Sequence, residues 1–187
     1  MDKSRNSGFT LIELVLVITL TGILSAMAYP SFASTIKSLR ISTASNLFLS
    51  TLNLARCEAI KRNLPIVVAK IDPNSNVWEK GWFVYVDVDK NNSYEGDSNW
   101  STCPKDTTNQ LIKDCVIATF DPLNKDIQLN SLNVDSSQNY VTFANDGSLQ
   151  NNTTINFKLA SSDTSIKEYR TIAINLIGHS LVTKFAS

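Results

Sequence analysis

Histidine is almost absent. His179 is the only one in 187 residues, and no Ser-His-Asp or Cys-His arrangement can be built without it. It lies in Gly178-His179-Ser180, at the end of a probable strand. The six glycines include none with the spacing of a phosphate-cradling loop. Three cysteines, with no C-x-x-C pair and no Cys/His cluster, leave no zinc site of the usual kind. Neither sign of charge is in excess, with 17 basic and 17 acidic side chains, which argues against a dominant electrostatic footprint for nucleic acid. An enzyme is not expected, nor is an organic cofactor.

Charge is also missing locally, from Leu14 to Ile36, a run of 23 residues. A helix of that length, at about 1.5 Å per residue, crosses a hydrocarbon core of roughly 30 Å once. Glu13 stands at the start of this segment, and a charge deep in a bilayer costs about 2.5–3.5 kcal/mol on insertion scales, so it needs a partner. Two readings leave different mature proteins. As a secretory signal, Lys3 and Arg5 form the basic region and Ala26-Met27-Ala28 the cleavage site. Glu13 opposes that, because a carboxylate inside such a core is unusual and the apolar tract continues past the supposed cut. In the second reading the chain is cut after Gly8 and the hydrophobic helix is kept.

The residues Gly8-Phe9-Thr10-Leu11-Ile12-Glu13-Leu14 closely resemble the class III signal of type IV pilins and type II secretion pseudopilins. The resemblance implies cleavage after Gly8 by a prepilin peptidase and N-methylation of the new N-terminal Phe9. It also implies that Glu13 neutralises the Phe9 amine of a neighbouring subunit as helices bundle, a pairing that removes the cost each charge carries alone in low dielectric. Pro30 falls where that family has a helix-kinking proline. Removing residues 1–8 takes away Lys3, Arg5 and Asp2 and leaves a net charge of −1.

From Ser31 onward the helical pattern becomes amphipathic. Ile41, Ala44, Phe48, Leu52, Ala55 and Ala59 recur at steps of three and four, one stripe suited to packing on a sheet. Leu64-Pro65 ends the element. Ala55-Arg56-Cys57-Glu58-Ala59 with Arg62 resembles the A-R-x-E-A-x-x-R signature of the FimT/FimU/GspH branch of minor pilins and pseudopilins, although Arg56 and Glu58 read equally as plain helix-surface charges. After Pro65 the chain turns to strand patterns at 66–71, 78–88, 140–143 and 169–177, separated by Asp/Asn/Pro/Gly turns. The expected fold is α+β: a long N-terminal helix packed on an antiparallel β-sheet head, as in type IV pilins. The expected division is a cleaved leader over 1–8, a transmembrane or filament-core helix over 9–36, an amphipathic helix half over 37–64 and a β-rich head over 65–187.

Cys103 and Cys115 lie in a loop rich in Ser, Thr, Asn and Lys, and a bridge between them would stabilise a head outside the cytoplasm by roughly 2–3 kcal/mol. Cys57 reads as a small buried apolar residue of the helix. Asp87, Asp89, Asn91 and Ser93 space oxygen ligands at alternating positions, as calcium requires, but Asn92 replaces the sharp-turn glycine and Ser98 the bidentate glutamate of an EF-hand-like loop. The same residues read otherwise as a hairpin loop capping its own amides. Some FimT-like pilins capture DNA through G-R-x-R near the C-terminus; here that place reads Gly178-His179-Ser180-Leu181, leaving His179 and Lys184 as the available contacts. The resemblance therefore implies a minor pilin that helps prime assembly at or near a filament tip. Its alternatives are pseudopilin H of a type II secretion system and a DNA-binding pilin. Implied partners are other minor and major pilins or pseudopilins, the prepilin peptidase and an inner-membrane assembly platform. The implied location is the bacterial inner membrane, single-pass, with the head in the periplasm.

Overall fold

The computed structural model describes residues 9–73, 77–96, 103, 105, 108, 110–132, 139–150 and 154–186. One helix, α1 (Leu11–Arg62), is followed by β1 (Ile66–Lys70), β2 (Trp82–Val86), β3 (Cys115–Phe120), β4 (Ile127–Ser131), β5 (Tyr140–Phe143), β6 (Ile155–Ser161), β7 (Tyr169–Ile174) and β8 (Ser180–Phe185). The chain forms two compact units, 1–37 and 38–187. In the first unit the aliphatic side chains of α1 are exposed all round, Leu14, Leu16, Ile18, Leu20, Ile23 and Leu24 among them.

In the second unit α1 buries the expected stripe: Ile41, Phe48, Leu52, Ala55 and Ala59 have no exposed surface and Ala44 has 4%. Arg62 is its last residue, and Asn63 follows at φ 56°, the left-handed position at which helices commonly terminate. Where the sequence pattern suggested one sheet, two four-stranded antiparallel sheets are present, in the orders β3-β2-β1-β5 and β4-β6-β7-β8. Both contribute to a single core with the helix stripe. Phe48 lies at its centre, edge-on to Trp82 of the first sheet (5.1 Å between centroids), to Phe157 of the second (4.7 Å) and to Trp78 (5.6 Å). The indole Nε1 of Trp82 donates to Thr51 Oγ1 at 3.1 Å, so the buried polar atom is satisfied by the helix.

β2 is shorter than its sequence run because Gly81 adopts φ +104°, and a Cβ there would stand 2.8 Å from the Phe120 carbonyl oxygen. β7 ends at Ile174 rather than Ile177, since 175–178 turns back through Gly178 at φ +76°. β2 is buried on both faces. Trp82, Val84 and Val86 join the main core, while Phe83 and Tyr85 form a second cluster with Val67, against which Tyr94 packs edge-on. Cys57 is exposed, contrary to the sequence expectation. It stands two residues from Ala55 and Ala59, about 200° around the helix from each, and so faces away from the stripe.

In denaturant unfolding of the head, Phe48→Ala is expected to cost about 3–5 kcal/mol, because one ring serves both sheets. Cys57→Ser is expected to stay within about 0.5 kcal/mol of the parent; a loss near that of Phe48→Ala would show that the thiol packs after all.

Candidate assembly helix and head surface

α1 begins with its own cap. Thr10 Oγ1 accepts the Glu13 amide at 3.3 Å, so Thr10-Leu11-Ile12-Glu13 places a hydroxyl at the N-cap and a carboxylate three residues on. An acidic group in the first turn also meets the positive end of the helix dipole. The hydroxyl of Thr19 donates to the carbonyls of Val15 and Leu16, both at 2.9 Å, and that of Thr21 to the Val17 carbonyl, so neither requires water. Phe9 is 81% exposed and Pro30 lies within α1; Gly8 lies outside the described residues. Among the described residues no single helix is long and apolar enough by itself to cross a membrane, whereas Leu11–Met27 taken with Phe32–Arg62 meets the length and composition requirement.

At the other end of α1, Arg56 is more than a surface charge. Its Nε donates to the Gly147 carbonyl at 3.1 Å, across the turn after β5. Gly147 has φ +79°, and a Cβ on it would lie 2.7 Å from Ile60 Cδ1. A Cβ on Gly178 would lie 1.9 Å from that same carbonyl oxygen and 3.1 Å from Arg56 Nε. The helix end, the 145–148 turn and the β7–β8 hairpin therefore interlock at a point that only two glycines permit. Glu58 accepts from Arg62 Nε at 2.5 Å and Lys61 Nζ at 3.1 Å, and the Arg62 bond first among these holds its carboxyl below the ordinary range.

The loop after β2 gathers carboxylates. Asp87, Asp89 and Asp114 bring one oxygen each to within 4.8 Å of one another. Asp114 stands 27 positions beyond Asp87, so the spacing of residues 87–93 could not reveal it. Asp87 accepts the amides of Asn91 (3.2 Å) and Asn92 (2.9 Å), and Asp114 those of Val88 (2.9 Å) and Glu95 (3.2 Å). Asn91 donates its side-chain amide to Asp89 (2.7 Å) and Glu95 (2.8 Å), and its Oδ1 accepts the Ser93 amide at 2.6 Å. Of the four calcium ligands expected from sequence, Asp87 and Asp89 converge, Asn91 is used within the loop, and Asp114 stands beside the pair in place of Ser93. Burial pushes the carboxyls of both Asp87 and Asp114 up. The Cys103–Cys115 disulfide, with Cα atoms 5.0 Å apart, adjoins Asp114 and ties the start of β3 to the preceding loop.

His179 and Lys184 are not one site. His179 sits in the hairpin before β8, where its amide donates to Asn175 Oδ1 at 2.8 Å. Lys184 is five residues further, about 17 Å along an extended strand, and pairs with Glu168 at 3.2 Å. Burial raises the Glu168 carboxyl, but the Ser38 hydroxyl (2.8 Å) and Lys184 outweigh it and hold the group below its ordinary range.

A helix that is aliphatic all round at one end and striped at the other, closed on antiparallel sheets, defines a pilin-type subunit. Residues 3–29 match the prokaryotic N-terminal methylation motif, and residues 44–178 match the family model described as type II transport protein GspH. The chain belongs to the GspH family, within the minor pilins and pseudopilins, which are structural rather than enzymatic. Among solved structures it is similar to the type IV minor pilin FimU of Pseudomonas aeruginosa strain PAO1. One crystal form gives a TM-score of 0.54 at 15% identity, covering 79% of this chain and 90% of that one. A second crystal form gives 0.53 at 17%, covering 76% and 91%. The minor pseudopilin EpsH of Vibrio cholerae gives 0.48 at 15%, covering 77% and 96%. No curated protein matches.

The carboxyls have opposed effects on stability with pH. Asp87 and Asp114 have raised folded values, so their contribution is present at low pH and is lost as pH rises from about 3.9 through those values. Glu58 and Glu168 have lowered ones, so theirs is present above the unfolded value and lost as pH falls through the folded one. Asp114→Asn is therefore expected to reduce the decline in head stability as the pH rises from about 3.9 through the raised folded value, measured by urea melts at a series of pH values; an unaltered profile would refute the assignment.

Proposed function

We infer that the chain is a minor type IV pilin, a structural subunit at or near the filament tip that helps prime pilus assembly. Members of its family assemble with other pilins or pseudopilins into filaments, and the methylation motif with the N-terminal helix marks a membrane-anchored protein of pilin type. The observation that carries the reading is the first unit of α1: a capped helix, aliphatic on every side, with one carboxylate in its first turn. Such a surface is stable only in lipid or among like helices. In this reading a prepilin peptidase cuts after Gly8 and methylates Phe9. The helix crosses the inner membrane once, with the head in the periplasm, and the assembly platform draws it into the bundle as Glu13 meets a neighbour's Phe9 amine. Pro30 sits where a kink would adapt the helix to that packing.

The GspH match also fits a second reading, pseudopilin H of a type II secretion system, without favouring it over the first. Direct DNA capture gains no support, since His179 and Lys184 are separated and Lys184 is held by Glu168. Calcium at Asp87, Asp89 and Asp114 is compatible with the donor set, although amides already occupy part of it.

Deletion of the gene, scored side by side for piliation, twitching, secretion and DNA uptake, separates the readings: loss of pili with intact secretion is expected, and the reverse would select the pseudopilin. Glu13→Ala is expected to remain membrane-inserted and cleaved but to enter filaments poorly, whereas Gly8→Val blocks cleavage. Normal incorporation of the Glu13 variant, measured by immunoblot of sheared filaments, would remove the charge-pairing role.

A further inference from the structure

The β7–β8 hairpin exposes two consecutive aliphatics at its tip, Leu176 (49%) and Ile177 (63%), with Leu181 (67%) at the start of β8. Turn tips are ordinarily filled by Gly, Asn, Asp or Ser, because solvent surrounds them. Here Asn175 and Gly178 supply the turn chemistry: the Gly178 amide donates to the Asn175 carbonyl at 2.9 Å, and Asn175 Oδ1 accepts from His179. The two positions between them are left free of any conformational duty and carry Leu and Ile.

The tip is also held firmly. The Leu149 amide donates to the Leu176 carbonyl at 2.9 Å, and Gly178 fits against the Gly147 carbonyl to which Arg56 is bonded. Ile60, 53% exposed, packs against Gly147 in the same interlock. Helix, turn and hairpin thus present a small apolar knob without loop entropy to lose on binding.

We propose that this knob docks into an apolar groove on the head of the next subunit in the filament, and that Arg56 is the positioning residue that presents it. The proposal rests on the filament-subunit reading above. The area selects the occupant. Four half-exposed aliphatic side chains offer on the order of 300–400 Å², well short of the roughly 800 Å² per partner of a stable complex. A freely diffusing protein would not stay bound, whereas a subunit already tethered by its helix meets the knob at high effective concentration. The groove has a counterpart in this very fold. Between α1 and the β3–β4 connection lies a cavity of about 500 Å³ whose apolar wall is Ala44, Leu47, Phe120, Pro122, Leu123 and Ile127, with Arg40, Asp121 and Asn124 among the polar residues that share its lining. Leu47 and Ile60 are separated by about 20 Å along the helix. A knob and a groove displaced along one axis give a head-to-tail contact, so that the knob of this minor subunit can meet the corresponding groove of a neighbouring pilin-type head one step along the filament.

The test uses the full chain in cells that assemble filaments. Ile177→Asp and Ile177→Lys are both expected to lower incorporation about tenfold with unchanged membrane level and cleavage. Thr183→Asp, on the same hairpin's second strand, should leave incorporation intact. A photo-cross-linking residue at 177 should join the chain to another pilin-type subunit, with the linked peptide in that subunit's helix or the strand connection beside it. Arg56→Lys should recover more incorporation than Arg56→Ala at equal thermal stability. Wild-type incorporation of both Ile177 variants, or cross-links to no filament subunit, would overturn the docking while leaving the filament reading intact. If the unaltered chain never enters filaments, the filament reading itself fails and the docking falls with it.

Discussion

Two rings join the sheets, and one of them belongs to the helix. Phe48 of α1 is edge-on to Trp82 of β2 and to Phe157 of β6, at 5.1 and 4.7 Å, and Trp78 bridges the sheets a second time, its ring against Phe157 and beneath the Lys70 ammonium of β1. Around Phe48 the helix offers small residues, Ala44, Ala55 and Ala59, which allow the sheets to approach the backbone closely. Thr51 completes the contact by accepting from the Trp82 indole, so the largest side chain of the first sheet is fixed in orientation as well as buried. The remaining architecture follows from this apposition. The hairpin and turn at the Arg62 end come close enough for Arg56 to reach a backbone carbonyl, and Ser38 and Arg40 at the other end reach Glu168 and Asp126, the residues just before β7 and β4 of the second sheet (2.8 and 2.6 Å). An apolar centre with polar attachments at both ends sets the register of the helix against the sheets.

The first sheet has a second buried face, which is unusual for an antiparallel sheet. Val67, Phe83 and Tyr85 require a cover, and the loop following β2 supplies Tyr94. Lys90 and Asn92 adopt left-handed backbone there, and Thr142 donates to Asn92 Oδ1 at 2.6 Å, pinning the loop to β5. Asp87 and Asp114 cap its amides at the cost of bringing like charges together in a buried place: burial pushes both carboxyls up, and neighbouring carboxylates add to it, Asp89 and Asp114 at Asp87, Asp89 and Glu95 at Asp114. The disulfide beside Asp114 fixes one of the two carboxylates through the chain, so loop, edge strand and bridge form one unit.

How much of this was legible in the sequence varies with the range of the interaction. The helix stripe was, since Ile41 to Ala59 repeats at fixed steps and each position is buried. β1, β2, β5 and β7 were visible as β-branched or aromatic runs. β4 was not, because Ile127-Gln-Leu-Asn-Ser131 carries few apolar residues and sits among Asn and Ser; β3, β6 and β8 were not assigned either, although their apolar residues stand at strand spacing. The split into two sheets depends on which strands pair, and strand patterns do not encode that. The site residues divide likewise. Arg56 was marked by its motif, yet its acceptor is a backbone carbonyl 91 positions away, and only the positive φ of Gly147 hints at it. Asp114 joins Asp87 by strand pairing alone, and Cys57 was misplaced because its residue type was weighed above its angle on the helix.

The first unit of α1 obeys a different solvent, and its composition follows from that. A stripe would suffice if one side faced water; instead aliphatic side chains cover every side, and the hydroxyls of Thr19 and Thr21 bond back to their own helix. Glu13 breaks the pattern, and the cap offers it only partial relief: Thr10 and the helix dipole favour a carboxylate in the first turn, but by an amount, about 0.3–1 kcal/mol, well below the cost of a bare charge among hydrocarbon. The remainder demands a cation that also tolerates an apolar place. Within the pilin reading, a cut at Gly8 supplies one, for it creates an amine at Phe9 while removing Lys3 and Arg5, whose strongly hydrated charges would hold the chain at the membrane surface. Cleavage, carboxylate and all-round aliphatic helix then become parts of one electrostatic requirement, in which a subunit leaving lipid exchanges its lipid contacts for helix contacts without an unpaired charge.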